Sequence, residues 1–584
     1  MQKHFLNYLT EVMAQQWNDP ALTDYGEQHE YTFGELATRM LRMHILFEKL
    51  GLKKGSKIAI VGRNCANWAV SYLSITSYEG VCVSILQDFR PEDIAHLLEH
   101  SDSEMLFVGP YVWHEIEKKA PPRPSPVGRE KGRGVLRTAI GSPIEQSSSP
   151  AAEREKVTLP KNIKVALSLE DFRPLYVAEG VNMPDEKAIT AAFNAKFPQG
   201  IEPEDVNFAA DPDALALINY TSGSTGSPKG VMLNGRSLSN NVEVGMKMLP
   251  VDPGQRLVSM LPLAHMFGQI CELLYPLCSG THIYFLTKSP TPSILLKALK
   301  EVHPYLIVTV PLVIEKIYKK NIDPTLSKWA IRTLWHIPVA GDIIKWRVKS
   351  ALKSAFGGQL RYFICGGAAM NPIVEKCLMD IHFPLSIGYG MTECGPLIGG
   401  NPPKYFKARS GGVPVTNMQV RIANPNEEGI GEIEVKGENV MLGYYKNDEA
   451  TKAAFTKDGW MRTGDLGCLD KKQNIFIKGR SKTMILGASG QNIYPEEIED
   501  KLNNQEAVGE SLIIEREGKL VALVFPDETL TKRMTLEEVQ QIMRANLEKL
   551  NNLIPSYSKV SNIEVQEKPF EKTPKKSIKR FLYK

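Results

Sequence analysis

The chain of 584 residues has no apolar run long enough to span a membrane, which takes about eighteen or more residues. The longest candidate, "LIVTVPLVI" from Leu306, has the length of a strand and contains Pro311. The opening "MQKHFLNYLTEVMAQQWND" has neither a continuous apolar core nor a small-residue cleavage site, as a secretion signal would. These absences predict a soluble cytoplasmic protein with at most peripheral membrane contact.

Cysteine and net charge are also scarce. The eight cysteines form no C-x-x-C pair and have no His-rich partner spacing, which favours reduced buried thiols over disulfides or a zinc site. The net charge is only +4 and charged residues make up 23% of the chain, which argues against a general nucleic-acid binder and an acidic solvating protein. The length and the 43% hydrophobic content suffice for two or more domains.

Short β-branched runs alternate with helical stretches along most of the chain, which predicts an α/β fold built on largely parallel sheets. The stretch from Phe33 to Gly51 is apolar at helical spacing and is closed by a glycine. Four runs are predicted to be buried strands: Lys57 to Gly62, Gly80 to Leu86, Glu104 to Gly109 and Leu215 to Gly223.

A change in residue composition and a change in the length of the predicted elements suggest how the chain is divided. Residues 121–156 are rich in Pro, Gly, Ser and Arg and lack apolar periodicity, so they are predicted to be a disordered insertion. A basic nucleic-acid arm is the alternative, but four glutamates dilute its charge and it contains no aromatic residue. After "KGRSK" the elements become shorter, and Thr535 with Glu538 forms a capping box. We therefore predict a large domain, 1–479, and a small α+β domain, 480–584.

The stretch "YTSGSTGSPKGVML" from Tyr220 has the composition of a phosphate-binding loop, although its spacing is not that of the common Gly-x₄-Gly-Lys-Ser/Thr motif. Backbone N–H groups of a glycine-rich turn can hold anionic oxygens, and hydroxyls add further donors. Taken alone, the stretch is equally well explained as a Gly/Ser surface turn. The residues predicted to bind phosphate are Thr221, Ser222, Gly223, Ser224, Thr225, Gly226 and Lys229.

Six further motifs follow in order: "LPLAHMFG", "GGAAM", "GYGMTECGP", "GEIEVKG", "RTGDLG" and "KGRSKTMILGASGQNIYPEEIE". Together with the glycine-rich loop they resemble the adenylate-forming (ANL) superfamily, and among its members most resemble the long-chain fatty acid–CoA ligases. The resemblance runs from about Asp24 to the end of the chain, apart from the insertion. It implies a large domain of mostly parallel α/β sheets with a β-barrel-like subdomain, and a small mobile α+β domain.

The resemblance also implies the reaction. A carboxylate attacks the α-phosphorus of ATP, releases pyrophosphate and becomes acyl-AMP, which the thiol of coenzyme A then captures. Because two anions must approach each other, catalysis is mostly positioning and charge neutralisation. The cofactors implied are ATP, Mg²⁺ and coenzyme A, and the loop would hold the departing β- and γ-phosphates.

Three motifs would surround the nucleotide, if the resemblance holds. In "GYGMTE", Glu393 would bind magnesium, Thr392 would bond the α-phosphate and Tyr389 would lie against the adenine; a Thr-Glu pair alone is also an ordinary helix start. Asp465 would accept both ribose hydroxyls, with support from Arg480, although "GDL" is also common turn chemistry. The remaining residues implied are the flat step on which adenine packs, Gly366, Gly367 and Ala368.

Three further residues would serve the acyl and thiol chemistry. His265 would sit at the mouth of the acyl pocket and help place the carboxylate, although a lone His in an apolar stretch is usually a core residue. Lys482 occupies the family's hinge position, about which the small domain rotates between the two steps. After rotation Gly490 would let the thiol pass close to backbone; a plain turn glycine is the alternative.

The tail departs from the family's pattern "T-P-x-G-K-I-x-R". It reads "KTPKKSIKR", so Ser577 stands where the family has its adenylation lysine. We predict that Lys576 replaces it with a displacement of one residue, while Lys575 and Lys579 are alternatives. A merely solvated basic tail and impaired adenylation are also open.

The apolar composition of the sequence around the His motif suggests the substrate, because an apolar pocket suits an alkyl chain. Amino-acid-activating domains place an Asp soon after that motif, whereas the first acid here is Glu272. The sequence therefore predicts a fatty acyl-CoA synthetase. The alternatives are transfer of the acyl group to an acyl carrier protein and a non-catalytic acyl- or nucleotide-binding protein.

Overall fold

The structure, a computed structural model, describes residues 3–27, 30–117, 159–221, 228–288, 291–486, 492–532, 534–573 and 577–583. The predicted insertion at 121–156 lies outside these residues. The predicted α/β class is confirmed: mostly parallel sheets form the large domain, and a separate sheet lies near the C-terminus.

An eight-stranded sheet leads into the glycine-rich loop. Its centre is parallel because β8, β4, β3, β5 and β6 all run the same way, and both edges are antiparallel. All four predicted buried strands belong to it. In spatial order its strands are β20 (Gly443–Tyr444), β9 (Lys229–Asn234), β8 (Leu215–Thr221), β4 (Val81–Ile85), β3 (Lys57–Val61), β5 (Met105–Val108), β6 (Val165–Ser168) and β7 (Pro174–Val177).

A seven-stranded sheet carries the adenine step at the end of one strand. It is parallel except where β1 and β2 pair. Its order is β14 (Leu385–Ile387), β13 (Tyr362–Cys365), β12 (Leu306–Thr309), β10 (Arg256–Ser259), β11 (His282–Phe285), β1 (Pro20–Asp24) and β2 (Glu30–Thr32).

Helices connect and cover these strands. The predicted helix from Phe33 begins with a capping box in which Thr32 and Glu35 satisfy each other's backbone N–H groups. The helices of the large domain are α1 (Phe5–Gln15), α2 (Phe33–Lys49), α3 (Ala66–Ser77), α4 (Pro91–His100), α5 (Pro110–Glu117), α6 (Glu186–Lys196), α7 (Gly235–Met248), α8 (Met266–Gly268), α9 (Tyr275–Cys278), α10 (Pro292–Val302), α11 (Pro311–Ile317), α12 (Asp323–Leu326), α13 (Trp329–Leu334), α14 (Ala340–Ala355), α15 (Pro372–Asp380) and α16 (Asp448–Ala454). Short π-helical segments join α8 to α9 and α11 to α12.

Two small antiparallel sheets complete the large domain. The N–H of Gly411 donates to the carbonyl of Ile475 and so links them. One contains β15 (Tyr389–Gly390), β16 (Leu397–Gly400) and β17 (Val413–Pro414). The other contains β18 (Met418–Ala423), β19 (Gly431–Gly437), β21 (Met461–Leu469) and β22 (Ile475–Arg480).

The C-terminal part is α+β. The predicted capping box of Thr535 and Glu538 opens α19 and is present. Its elements are β23 (Ile485–Leu486), β24 (Asn492–Ile493), α17 (Pro495–Asn503), β25 (Val508–Arg516), β26 (Lys519–Pro526), α18 (Glu528–Thr531), α19 (Leu536–Leu553) and β27 (Val560–Val565). The boundary at 480 stays a prediction.

The eight cysteines are all free thiols, six of them buried. None of the helices in the described ranges combines the length and apolar composition that crossing a bilayer requires.

Candidate nucleotide and acyl site

The glycine-rich loop connects β8 to β9. The two strands pair antiparallel up to Thr221, which lies opposite Lys229. The structure therefore brings these two predicted phosphate-binding residues together at the ends of adjacent strands. The predicted loop residues Ser222, Gly223, Ser224, Thr225 and Gly226 lie outside the described residues.

Lys229 and the predicted magnesium ligand Glu393 lie on either side of one tyrosine. The Nζ atom of Lys229 is 4.8 Å from the centre of the Tyr444 ring, and the Tyr444 hydroxyl donates to Oε1 of Glu393 at 3.0 Å. Burial, and then the charge of Glu393, raise the pKa of Tyr444, so its phenol stays a neutral donor. This places one cation and one carboxylate at the end of the loop, the charges that a metal–polyphosphate group requires.

Sequence reasoning missed Tyr444. It comes from β20, which pairs with β9 at the edge of the sheet although more than two hundred residues separate them in the chain. The adjacent tyrosines of "GYYKN" are the signal that could have indicated it.

The short 3₁₀ turn holding Thr392 and Glu393 is fixed from the helix that follows the loop. Asn241 of α7 is buried; its Nδ2 donates to the carbonyl of Cys394 at 3.3 Å, and its Oδ1 accepts from the N–H of Leu397 at 2.9 Å. Thr392 is buried beside Glu393. One βα unit therefore carries the phosphate loop and also positions the predicted metal motif.

Asp465 and Arg480 are direct partners across β21 and β22. The Arg480 Nε lies 3.3 Å from Oδ1 of Asp465, and the Tyr389 hydroxyl donates to Oδ2 at 2.8 Å. Burial raises the pKa of Asp465, and the charge of Arg480 opposes that rise. A carboxylate has about four acceptor positions, so two remain to accept the hydroxyls of a ribose. Asp465 and Arg480 are thus adjacent as predicted, and their binding of ribose stays a prediction.

Tyr389 is bound to Asp465 through its hydroxyl and packs its side chain against Gly411, where an added Cβ would come within 2.5 Å of the Tyr389 Cβ. The contact of Tyr389 with adenine stays a prediction.

The predicted adenine step follows β13. The N–H of Gly366 donates to the Thr309 carbonyl at 3.2 Å, while Gly367 has φ +83° and is exposed together with Ala368. A positive φ in this region favours glycine. An exposed strip of backbone with little side chain suits a flat aromatic base.

His265 caps the short helix α8, accepting the N–H of Phe267 on Nδ1 at 3.2 Å. The ring of Phe267 lies against the adenine step, 3.1 Å from where a Cβ on Gly366 would be. The Nδ2 of Asn219, in β8, donates to the carbonyl of Ala264 at 2.8 Å. The His motif therefore contacts both the strand before the predicted phosphate loop and the predicted adenine step.

The buried carboxyl of Glu272, for which the sequence pattern predicts no function, holds the loop that precedes His265. Oε2 of Glu272 accepts the N–H groups of Met260 and Leu261 at 3.0 and 2.9 Å and the hydroxyl of Ser259 at 3.0 Å. Burial raises the pKa of Glu272 to about 8. Asn64 also holds this loop, because its Oδ1 accepts the N–H of Leu263 at 2.9 Å. Nothing in the local sequence pattern distinguishes these two residues.

Lys482 lies exposed in the turn that leaves β22. The neighbouring N–H of Ser481 donates to Gly464, and that of Thr483 to Arg480, at 2.9 and 3.1 Å. The hydroxyl of Thr483 donates to Glu496 of α17 at 2.7 Å. The hinge role stays a prediction, and Gly490 lies outside the described residues.

In the described part of the tail, the N–H of Thr573 donates to the carbonyl of Ser577 at 2.8 Å. Three of its cations are already engaged: Lys572 pairs with Glu510, Lys579 lies 3.4 Å from Glu571, and Arg580 pairs with Glu499. Burial raises the pKa of Glu499 to about 7, against the opposing charge of Arg580. Lys576 lies outside the described residues, and its assignment stays a prediction.

Comparison with known proteins agrees with this arrangement. Residues 9–445 match the AMP-binding enzyme family, and residues 482–583 match the AMP-binding enzyme C-terminal domain. The chain belongs to the AMP-binding enzyme family. The family resemblance inferred from the ordered motifs is thereby confirmed.

Curated relatives of this family align over most of the chain. It is 24% identical to the long-chain-fatty-acid–CoA ligase ACSBG1 of Rattus norvegicus over 547 residues, which cover 89% of this chain and 70% of that protein. It is 26% identical over 511 residues to the long-chain-fatty-acid–CoA ligase of Escherichia coli O6:H1, covering 86% and 81%.

Solved structures of the family share the fold. The ATP-bound MatB from Rhodopseudomonas palustris superposes with a TM-score of 0.71 at 20% identity, covering 99% of this chain and 98% of that one. The o-succinylbenzoate CoA synthetase from Bacillus subtilis, in complex with ATP and magnesium, gives a TM-score of 0.69 at 20% identity, covering 100% and 99%.

Proposed function

We propose that this protein joins a fatty acid, most suitably a long-chain one, to AMP at the expense of ATP and then transfers the acyl group to coenzyme A. The observation that carries the proposal is that the His265 loop contacts both the Asn219 strand and the Gly366 step. Asp465, paired with Arg480, adds the residues suited to ribose. Both curated relatives described above are named as ligases of this class.

The nucleotide would be held at three points. Asp465 accepts the ribose hydroxyls while Arg480 and Tyr389 hold its carboxylate in place. The exposed backbone at Gly367 receives the base. Lys229 neutralises phosphate charge near Tyr444.

The carboxylate of Glu393 is the residue suited to hold Mg²⁺, and its hydrogen bond from the Tyr444 hydroxyl orients it. Bound there, the metal would neutralise charge on the phosphate oxygens. Thr392, buried on the same turn, is placed to donate a hydrogen bond to the α-phosphate.

The acyl side is suited to a substrate without an ammonium group. Glu272, the first acid after the His motif, is fully buried and accepts hydrogen bonds from two backbone N–H groups and one hydroxyl. It is therefore engaged in holding the loop, while His265 is left to orient the carboxylate. Each methylene group buried from water contributes about 0.8 kcal/mol, which favours a long alkyl chain in an apolar pocket.

The thiol step needs the small domain in a second orientation, with rotation at Lys482 and passage of the thiol past Gly490. Coenzyme A supplies its own nucleophile, so the proposal requires no protein cysteine. A cytoplasmic location is part of the proposal and is based on the eight free thiols.

The deciding experiment incubates the purified protein with ATP, Mg²⁺ and palmitate. We expect palmitoyl-AMP and pyrophosphate, with palmitoyl-CoA and AMP forming when coenzyme A is added. Formation of ADP and inorganic phosphate would overturn the proposal. Parallel reactions with coenzyme A and with holo acyl carrier protein, analysed by mass spectrometry, identify the acceptor, and a series from butyrate to stearate identifies the chain length.

A further inference from the structure

A basic segment stands out from the near-neutral chain. Residues 312–353 contain nine lysines and arginines and three acids, a net charge of +6, whereas the whole chain carries +4. The rest of the protein is therefore slightly acidic overall, although the tail, residues 568–584, also carries a net charge of +6.

The same segment exposes large apolar side chains. Trp329 is 82% exposed, Val339 71% and Trp346 67%. Its other exposed apolar residues are Leu312, Leu334, Ile337 and Ile343. Apolar residues scattered singly over a surface are ordinary, but a group of seven within some forty residues indicates an interaction surface.

These side chains are not displaced core residues. Helix α14 already presents Ile344, Val348 and Leu352 to the hydrophobic core of the large domain. Ile343 and Trp346, three residues apart, lie on its opposite face. Helix α14 therefore has two apolar faces. One packs on the core, and the other faces outward among cations, whereas an ordinary surface helix has a polar outer face.

Next to this outer face lies a cavity of about 690 Å³. It is lined by Lys300, His303, Trp346, Lys349, Ser350 and Lys353. Burial, and then the nearby charge of Lys353, lower the pKa of Lys349. An anionic group in the cavity would relieve the repulsion between these two ammonium groups.

We propose that this surface docks the protein on an anionic lipid bilayer, with the projecting Trp and aliphatic side chains in the interface and lipid phosphates in the lysine-lined cavity. Tryptophan beside Lys and Arg is the composition of interfacial membrane binding. Each Lys or Arg near an anionic surface contributes about 1 kcal/mol.

The shape of the surface favours lipid over an acidic protein. Its apolar groups project from the surface, whereas its concave part is cationic. A protein partner would have to offer matching pockets for each projecting side chain, while a fluid bilayer accommodates them without such a match. Not every cation is available, since Lys319 lies 3.3 Å from Asp527 of the small domain.

The surface begins beside the candidate site. Helix α11 follows Val310, whose Cγ1 lies 3.9 Å from where a Cβ on Gly367 would be, and Glu315 accepts the N–H of Asn371 at 2.8 Å. The docking surface and the loop of the adenine step thus share α11. A bilayer held there would place dissolved fatty acid close to the site; this last point, unlike the docking itself, rests on the proposed function.

The test is co-sedimentation of the full-length protein with vesicles of phosphatidylcholine alone, or of phosphatidylcholine and phosphatidylglycerol in equal amounts. We expect preferential binding to the anionic vesicles. The double substitution Lys349→Ala/Lys353→Ala should lower partitioning by about thirtyfold, from about fivefold for each charge. Trp329→Ala/Trp346→Ala should lower it by about tenfold or more.

Matched controls carry the same changes elsewhere on the exposed surface. Tyr111→Ala/Tyr405→Ala removes two exposed aromatic side chains, and Lys471→Ala/Lys472→Ala removes two exposed charges; both should bind vesicles as the unsubstituted protein does. Circular dichroism verifies the fold of each variant.

Equal binding of both vesicle types, or unchanged binding of the Trp and Lys variants, would overturn the proposal. If the Trp and Lys variants lost binding to holo acyl carrier protein but bound vesicles as before, the proposal would be overturned in favour of a protein partner. The measurement uses no substrate, so its failure is distinguishable from a failure of the ligase activity.

Discussion

The large domain and the C-terminal part are held together in different ways. In the large domain one hydrophobic cluster runs through elements of both main sheets, from Phe5 to Ile475. The clusters of the C-terminal part contain only residues from Ile485 onward. Among the described residues, no hydrophobic cluster contains members from both sides.

Several polar contacts join the two parts. Arg409 donates to the carbonyl of Met370 at 2.8 Å and pairs with Asp500 of α17 at 3.1 Å. A second pair joins Lys319 to Asp527. Exposed ion pairs contribute about 0–1 kcal/mol each, so a few of them can be exchanged at little cost, whereas an apolar interface could not. This difference suits the proposed rotation of the C-terminal part between the two half-reactions.

The largest effect on the difference between the large domain and the C-terminal part is expected from a substitution in the tail. Lys576→Ala should lower adenylation by about 10²–10³-fold, because one charge contact to the transition state is lost. Thioester formation from supplied acyl-AMP should be unaffected. Pyrophosphate release and acyl-CoA formation measure the two steps, with Lys575→Ala as the matched control; an unaffected adenylation rate would shift the role to a neighbouring lysine.

On the large-domain side, Asp465→Asn should raise the KM for ATP by about 10–100-fold, since a charge-assisted hydrogen bond contributes about 1.5–3 kcal/mol. Unlike the tail change, it should weaken both half-reactions, because AMP is bound in each. Asp470→Asn, on a turn of the same β21–β22 hairpin, is the control. Loss confined to one half-reaction would contradict the assignment to ribose.

At the junction, Lys482→Pro should preserve acyl-AMP formation and slow thioester formation by roughly tenfold or more, since proline fixes one of the dihedral angles that rotation changes. Single-turnover measurement of each half-reaction distinguishes the two. Lys482→Ala, which leaves the backbone free, is the control, and equal losses in both steps would refute the hinge.

The smallest effect is expected from Arg409→Ala. Removing an ion pair between the two parts should change the ratio of the two half-reaction rates by at most about fivefold. The thermal unfolding of the large domain should be altered little. Arg421→Ala, which breaks ion pairs with Glu434 and Asp458 within one domain, should leave the ratio unchanged.

What the sequence predicted well depends on local pattern. The four buried strands and the capping box of Thr535 and Glu538 were found because their signals lie within a few residues of each other. The Asp465–Arg480 pairing was expected from the ordered motifs, and the structure places the two residues together.

The parts that escaped prediction depend on distant partners. Tyr444 reaches Glu393 across 51 residues, and Asn219 reaches Ala264 across 45. Glu272 is equally hidden, since a single acid in an apolar stretch gives no sign that two backbone N–H groups and a hydroxyl will surround it. Such residues become visible only when the strands are assembled.

Strand β20 has a further consequence, for biosynthesis. It closes the edge beside β9 but is translated some two hundred residues later. In a nascent chain that stops before Gly443, the outer backbone N–H and C=O groups of β9 would be unpaired. An unpaired edge strand readily pairs with other chains. Fragments cut at the apparent end of the sheet should therefore aggregate, while chains that include "GYYKN" can complete it.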